Sequence, residues 1–474
     1  MMRRAPVLIL GAIVLAYLFI ATLYAVKTPA WQVPDEPAHY NYVRQVASGG
    51  CCPVMAPGDW DNDYLNAIKA AKFSPAALGT RLSTIQYENQ QPPLFYFLEA
   101  PVYSLSEGNL TALRLFSVLL GAGIIIVAWA LVRIVFPAQP TLALTTAAFV
   151  AFLPQHVAMM AGVDNDSLAE LVVALSLLAC VLYLKQPPIP RPLASTQAEG
   201  KGRNPDLDAP RPFTGEGLGV RDGIHPILLG LLLGIAFLTK ITAMAPIIAL
   251  IGVAVIVRAQ RDSWTLQRFI REAAWIALPA LALGLPLWLR NVNTYGGLDI
   301  LAQSAHDRVV VGQPTRQDYI DQHGFGGWIK DAIGTSFDSF WGQFGWLGVP
   351  MTLPIYLALL AFSLLVLVGA GIAFVRWRRM LSPPQRDALM LFGITALLAL
   401  AGLVYWNLKY VQFQGRYLYP GLIPIALFVA IGLAGWASLL KTRAALWLTT
   451  GVVCLFAVLD LYVLFRIIMP ALAL

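Results

Sequence analysis

Apolar residues fall in long unbroken runs along this chain, and polar residues collect between them. Runs of about 17 to 25 residues occupy 7–26, 113–135, 141–160, 167–184, 224–239, 241–257, 273–289, 351–375, 387–405, 418–440 and 445–468. Runs of this length read as membrane-crossing helices, about eleven in all. Only Thr239 and Lys240 divide the fifth run from the sixth, so the pair also reads as one broken helix, which would change the parity. Shorter patterns lie between the spans. Asp35 to Ala47 has helical spacing and a start signal of Pro34 followed by two acids. Asp61 to Ala71 predicts a second short helix. Leu94 to Leu105 is apolar but too short to span, which suits a helix lying in the interface. Residues 186–223 hold Pro, Gly and charge with no apolar period, and read as a flexible loop. Residues 290–350 are rich in aromatics, among them Trp328, Phe340, Trp341, Phe344 and Trp346. They suit either a headgroup belt or a floor for sugars or isoprenoid chains.

Composition agrees with a polytopic all-α membrane protein built as one domain over residues 1–474. Of the 474 residues 58% are hydrophobic and 12% charged, with a mean hydropathy of +0.66. A soluble protein carries roughly twice that charge fraction. Arg3 and Arg4 before the first run resemble a signal peptide, but the cleavage pattern is poor and many spans follow, so a retained anchor is expected. The net charge of +7 is concentrated in short inter-span segments. With the N-terminus inside, Arg3, Arg4, the 186–223 loop, Arg258 to Arg271, Arg376 to Arg379, Lys441 and Arg443 all face the cytoplasm. The charge is thus an orientation signal and an attraction to anionic lipid, not a nucleic-acid patch. This topology puts the first outer loop, 27–112, and the aromatic-rich loop, 290–350, outside. Five His and four Cys are too scattered for a zinc framework. Bridging the neighbours Cys51 and Cys52 would be strained, and neither marks a compartment. No internal repeat appears.

Two adjacent acids at a membrane surface are costly to desolvate and need water, a partner or a task. Asp35 and Glu36 are such a pair. On a helix neighbours diverge by about 100°, so only one of them faces a given site. Capping of the helix that follows is the ordinary alternative. His39 lies one turn on from Asp35, which makes half a metal site; no partner pair completes it, so a divalent cation stays possible without a dedicated ligand set. Glu88 and Gln91 lie in a polar stretch ending in Pro92-Pro93, which forces an extended entry and then a helix start. Asp164 and Asp166 occupy the turn between the third and fourth runs, where Asp166 or Ser167 also serves as a cap. Lys240, Arg290 and Arg416 are single cations near outer span ends. Each can snorkel to headgroups, and together they suit an anionic lipid-linked group. Phosphate-cradling loops, H-E-x-x-H, G-x-S-x-G and dinucleotide fingerprints are absent from the sequence.

Pro34-Asp35-Glu36-Pro37-Ala38-His39, Gln91-Pro92-Pro93-Leu94-Phe95-Tyr96, Asp164-Asn165-Asp166, Leu238-Thr239-Lys240 and Gln414-Gly415-Arg416-Tyr417 together resemble the GT-C superfamily of membrane glycosyltransferases. The likeness is to the protein O-mannosyltransferase and aminoarabinose transferase group, in its bacterial P-D-E-P-x-H subfamily. The resemblance implies a first outer loop with two helices parallel to the membrane, beside a lipid-facing cavity, joined to the about 11 transmembrane helices that the apolar runs predict. It implies a polyprenyl-phosphate sugar donor, a glycan, lipid or protein acceptor, and inverting transfer at the outer face of a bacterial inner membrane. By that match Asp35 is the general base and Glu36 its orienting neighbour. His39, Glu88, Gln91, Asp164, Asp166 and Tyr417 contribute to substrate binding; Lys240, Arg290 and Arg416 are the candidates for the donor phosphate. Aminoarabinose transferases carry Lys just before Pro-Pro-Leu, where this chain has Gln90 and Gln91, so aminoarabinose is disfavoured. A chain ending near residue 474 also disfavours an oligosaccharyltransferase with a large C-terminal domain. A transporter or flippase of lipid-linked sugars would use the same cavity without a base, and a scaffold subunit would bind no lipid phosphate.

Overall fold

The computed structural model describes residues 5–186 and 224–473. The flexible loop expected over 186–223 therefore lies, Gln186 aside, outside the described residues. The chain opens with α1 (Ala5–Lys27) and then leaves the bundle for a cap of short helices: α2 (Glu36–Ala47), α3 (Asn62–Ala70), α4 (Pro75–Leu78) and α5 (Leu94–Leu105). It returns through α6 (Leu110–Val135), the pair α7 (Pro140–Ala151) and α8 (Pro154–Met160), and α9 (Asp166–Leu184). After the undescribed segment come α10 (Pro226–Thr239), α11 (Ile241–Arg261) and α12 (Leu266–Tyr295).

Residues 290–350 are more helical than the sequence suggested. The end of α12 is followed by α13 (Gln303–Val309) and by α14 (Arg316–Trp341), which bends at Gly324 where φ is 72°. A two-strand hairpin, β1 (Gln343–Phe344) against β2 (Val349–Pro350), closes the segment. The bundle is completed by α15 (Leu353–Trp377), α16 (Pro383–Lys409), α17 (Leu422–Ala437), α18 (Thr442–Val463) and α19 (Met469–Leu472).

Among the described residues nine helices are long and apolar enough to cross a membrane, and α7 with α8, bent by 63°, adds a tenth if it counts as one span. Pro154 causes that bend, because it has no N–H to continue the helical ladder. The eleven-span reading differs at α10. Its 14 residues reach about 21 Å, short of the roughly 30 Å hydrocarbon core. The division from α11 is nevertheless sharp: Lys240 is fully extended, at φ −158° and ψ 136°, so two helices meet at it.

Small residues set the closest helix contacts. Gly432 and Gly435 on α17 lie against the backbone of α15 at Val366 and Gly369, where a Cβ would overlap carbonyl oxygens. A large apolar core joins α1, α6, α7, α9, α10 and α17. A smaller one holds the cap: Leu65, Ile68, Phe73, Ile85 and Tyr87 pack with Trp31, Trp60 and Trp346. Cys51 and Cys52 are joined as a disulfide in this cap.

Candidate active site

The candidate residues sit where helices begin or break, because those are the points at which side chains leave the bundle. Asp35 is the residue before α2. Its backbone is left-handed, at φ 66°, a conformation that costs a non-glycine residue energy. Its carboxylate does not cap the helix it precedes. Instead it accepts from the Tyr87 hydroxyl at 2.9 Å and pairs with the Arg416 guanidinium at 2.5 Å. Helix capping thus does not account for this acid. Burial pushes the Asp35 carboxyl up, but the charge and hydrogen bond of Arg416, with help from His39 and Tyr87, overcome it and hold the group at about 2.

Glu36 turns the other way. It is fully buried and takes both oxygens to Arg114 on α6, each at 2.7 Å, a bidentate pair. The backbone N–H groups of Trp31 and Val163 donate to the same carboxylate. Arg114 spends its remaining donors on the carbonyls of Ala25, Thr28 and Pro29 at the end of α1. One guanidinium thereby fixes the end of α1, the start of α2 and the backbone on which Asp35 is strained.

Behind Asp35 lies a charge cluster. Lys240 pairs with Asp166 at 2.6 Å and with Asp164 at 3.6 Å. Asp164 also faces Arg416 at 3.6 Å and His39 Nε2 at 3.4 Å. The other His39 nitrogen lies 2.8 Å from the Tyr96 hydroxyl. Burial lowers the His39 pKa, against the pull of Asp164, so the ring stays neutral near pH 7. Gly415 lets Arg416 into this cluster: a Cβ there would strike the backbone of Ser336 and Phe340 on α14.

A cavity of about 440 Å3 opens in front of the cluster. Asp35, His39, Glu88, Gln91, Asp166, Lys240, Arg416 and Tyr417 all line it. Asp164 stands behind that wall through its ion pairs, and Glu36 is set apart with Arg114. Arg290 does not line the cavity. Its guanidinium donates to the carbonyls of Cys52 and Pro53, each at 2.7 Å, and so ties down the cap loop. Among the described residues no group of three or more His, Cys, Asp or Glu is placed to hold a metal ion.

Three participants were missed in the sequence. Tyr87 sits in the polar stretch before Pro92 with no signal of its own; its hydroxyl donates to Asp35, and burial keeps the phenol protonated. Arg114 sits inside an apolar run, where a lone Arg attracts no notice unless an acid is known to face it. Lys69 lines the cavity with its ammonium 4.3 Å from the Trp346 ring centre, a cation–π contact between segments far apart in sequence.

A profile of the dolichyl-phosphate-mannose-protein mannosyltransferase family matches residues 90–193. In structure the chain is similar to ArnT from Cupriavidus metallidurans. Against that protein bound to undecaprenyl phosphate the TM-score is 0.50 at 16% identity, covering 99% of this chain and 74% of the other. Against its apo form the TM-score is 0.52 at 15% identity, covering 100% and 74%. The chain shares its overall fold with that protein. In this chain the cap of α2 to α5 packs against the membrane bundle, with the charge cluster at their junction. No curated protein matches the chain in sequence.

Proposed function

We propose that this protein is an inverting glycosyltransferase. It moves a sugar from a polyprenyl-phosphate donor to a glycan, lipid or protein acceptor at the outer face of a bacterial cytoplasmic membrane. One observation carries the reading: a strained carboxylate that caps nothing, Asp35, faces the same cavity as two half-buried cations, Lys240 and Arg416. The family match over 90–193 and the fold shared with a protein seen bound to undecaprenyl phosphate support it.

The chemistry follows from the charges. Arg416 and Lys240 receive the donor phosphate, and the guanidinium turned toward phosphate releases its hold on Asp35. Asp35 then takes the proton of the acceptor hydroxyl as its oxygen attacks the anomeric carbon. The bond from that carbon to the phosphate oxygen breaks, and polyprenyl phosphate leaves with the electron pair. Tyr87 holds the second Asp35 oxygen, and the Glu36–Arg114 clamp holds the backbone beneath it. The distal acids Asp164 and Asp166 keep both cations in place.

Binding of bare polyprenyl phosphate tests the cavity. Arg416→Gln is expected to weaken it roughly 10- to 100-fold, the worth of a charge-assisted hydrogen bond. Arg290→Gln is expected to leave it within about twofold, since that side chain serves the 52–53 carbonyls. Equal loss in both variants, or in neither, contradicts this assignment of the phosphate site.

Glu88 supplies a pH signature. Burial, then the charge of Asp35, raises its carboxyl to about 8, with Lys240 and Gln91 opposing. At pH 7 it is neutral while Asp35 is ionised, the kind of split that assigns different roles to two acids. Raising the pH through about 8 ionises Glu88 and sets a second negative charge where the phosphate must bind. Donor kcat/KM is therefore expected to fall above pH 8 in the wild type, and Glu88→Gln to remove that fall. A fall that survives in Glu88→Gln assigns the ionisation to another group.

A further inference from the structure

Asp35 must stay ionised to act as a base, and the step that opens it also strips it of its counter-ion. At rest the carboxylate has Arg416 and the Tyr87 hydroxyl. Once the guanidinium turns to the donor phosphate, burial and the new anion both favour a proton on Asp35. Most of its charged neighbours cannot replace Arg416. Lys240 is held by Asp166 and Asp164 and faces the same phosphate. His39 is neutral, and Glu88 and Tyr417 bring no positive charge. Arg114 is taken up by Glu36.

One cation remains. Lys69, on α3, lines the same cavity and enters none of the ion pairs found among the described residues. Its ammonium is perched 4.3 Å from the centre of the Trp346 ring, which also stacks on Phe73 at 5.8 Å. The Trp346 indole N–H donates to the carbonyl of Trp31 at 2.9 Å, in the segment that leads into Asp35. The perch is thereby tied to the turn that carries the carboxylate. Burial lowers the Lys69 pKa, and Asp35 is the charge that opposes it. An ammonium held by a ring rather than by an acid keeps its charge available to an anion that loses its partner.

Resting on the reading of Asp35 as the base and Arg416 as a phosphate ligand, we infer that Lys69 is the second counter-ion of Asp35 and keeps it ionised after the donor phosphate has taken Arg416. Lys69 is a positioning residue, acting through the carboxylate. A cation beyond contact distance suits that task. A pair as close as that with Arg416 would hold Asp35 ionised but unreactive. A more distant ammonium favours the charge and leaves the oxygens open to an acceptor hydroxyl.

The test is the number of protons taken up when bare polyprenyl phosphate binds the purified full-length protein, read by calorimetry near about pH 6 in two buffers of different ionisation enthalpy. Lys69→Met keeps the stem over Trp346 and removes the charge. It is expected to take up about half a proton or more in excess of the wild type, because the freed Asp35 now binds one. Lys69→Arg is expected to match the wild type. Adding Asp35→Asn to Lys69→Met is expected to abolish the excess, which separates Asp35 from the phosphate, Glu88, His39, Asp164 and Asp166 as its source. Where Met lowers the melting temperature, Lys69→Gln takes its place. The inference is overturned if Lys69→Met shows no excess, if the excess survives Asp35→Asn, or if Lys69→Met loses as much affinity as Arg416→Gln, which would make Lys69 a phosphate ligand. Those three results leave the donor reading of the cavity standing. Failure of bare polyprenyl phosphate to bind the wild type, or binding that Arg416→Gln does not weaken, overturns that reading and the inference with it.

Discussion

Asp35→Asn is expected to lower single-turnover transfer by roughly 10²- to 10⁴-fold, the usual contribution of a general base. The substitution keeps the size of the side chain and its ability to accept from Tyr87, but removes proton acceptance and the charge facing Arg416. Asn also tolerates the left-handed backbone at φ 66°, so folding is not disturbed at that point. Thermal stability is expected to stay near wild type, and donor binding to be kept or tightened, because Arg416 is freed for the phosphate. That combination separates catalysis from transport. A flippase using this cavity would keep working with Asn in place of Asp35. If Asp35→Asn transfers normally, the base is elsewhere; if Glu36→Gln is dead while Asp35→Asn is active, the two acids have been given each other's roles.

The largest loss of stability is expected at Arg114. Arg114→Leu leaves the Glu36 carboxylate fully buried with two backbone donors and no counter-charge. Removing one member of a buried pair costs about 3–5 kcal/mol, because the other charge is left uncompensated. It also frees the carbonyls of Ala25, Thr28 and Pro29, and with them the junction of α1 and α2. A lower melting temperature in detergent is the readout. Restoring neutrality in the double variant Arg114→Leu with Glu36→Leu is expected to recover a large part of the loss, since replacing both partners with apolar groups is often near neutral. A double variant no more stable than Arg114→Leu would mean that the carbonyl contacts, rather than the ion pair, hold this junction.

Much of this site was legible in the sequence, and the parts that were not share a physical reason. Period and end signals placed α2, α3 and α5 within a residue at each end, because a Pro, an acid or a break in polarity marks those ends locally. Asp35, Asp166, Lys240 and Arg416 were legible as unexplained charges at span ends, where desolvation makes a charge informative. The same logic selected Arg290, which differs from Arg416 only in where the cap loop runs, and a loop path leaves no local pattern. Glu36 and Asp35 are adjacent and chemically alike; only the turn of the backbone between them sends one to Arg114 and the other to the cavity. Tyr87 and Lys69 act through contacts across the cap, and their neighbours in sequence give no hint of it. In the 290–350 segment, Gly and aromatics read as loop, while packing against α16 and the Gly415–Gly421 turn keeps α14 helical.

The most direct test of the central claim is an experimental structure of the protein with polyprenyl phosphate bound. The account predicts the phosphate in the cavity lined by Asp35, Lys240 and Arg416, within hydrogen-bond reach of Arg416 or Lys240, with the Asp35 carboxylate released from the guanidinium and open to the acceptor side. A phosphate bound at Arg290 or elsewhere on the cap, with the Asp35–Arg416 pair intact, would contradict it.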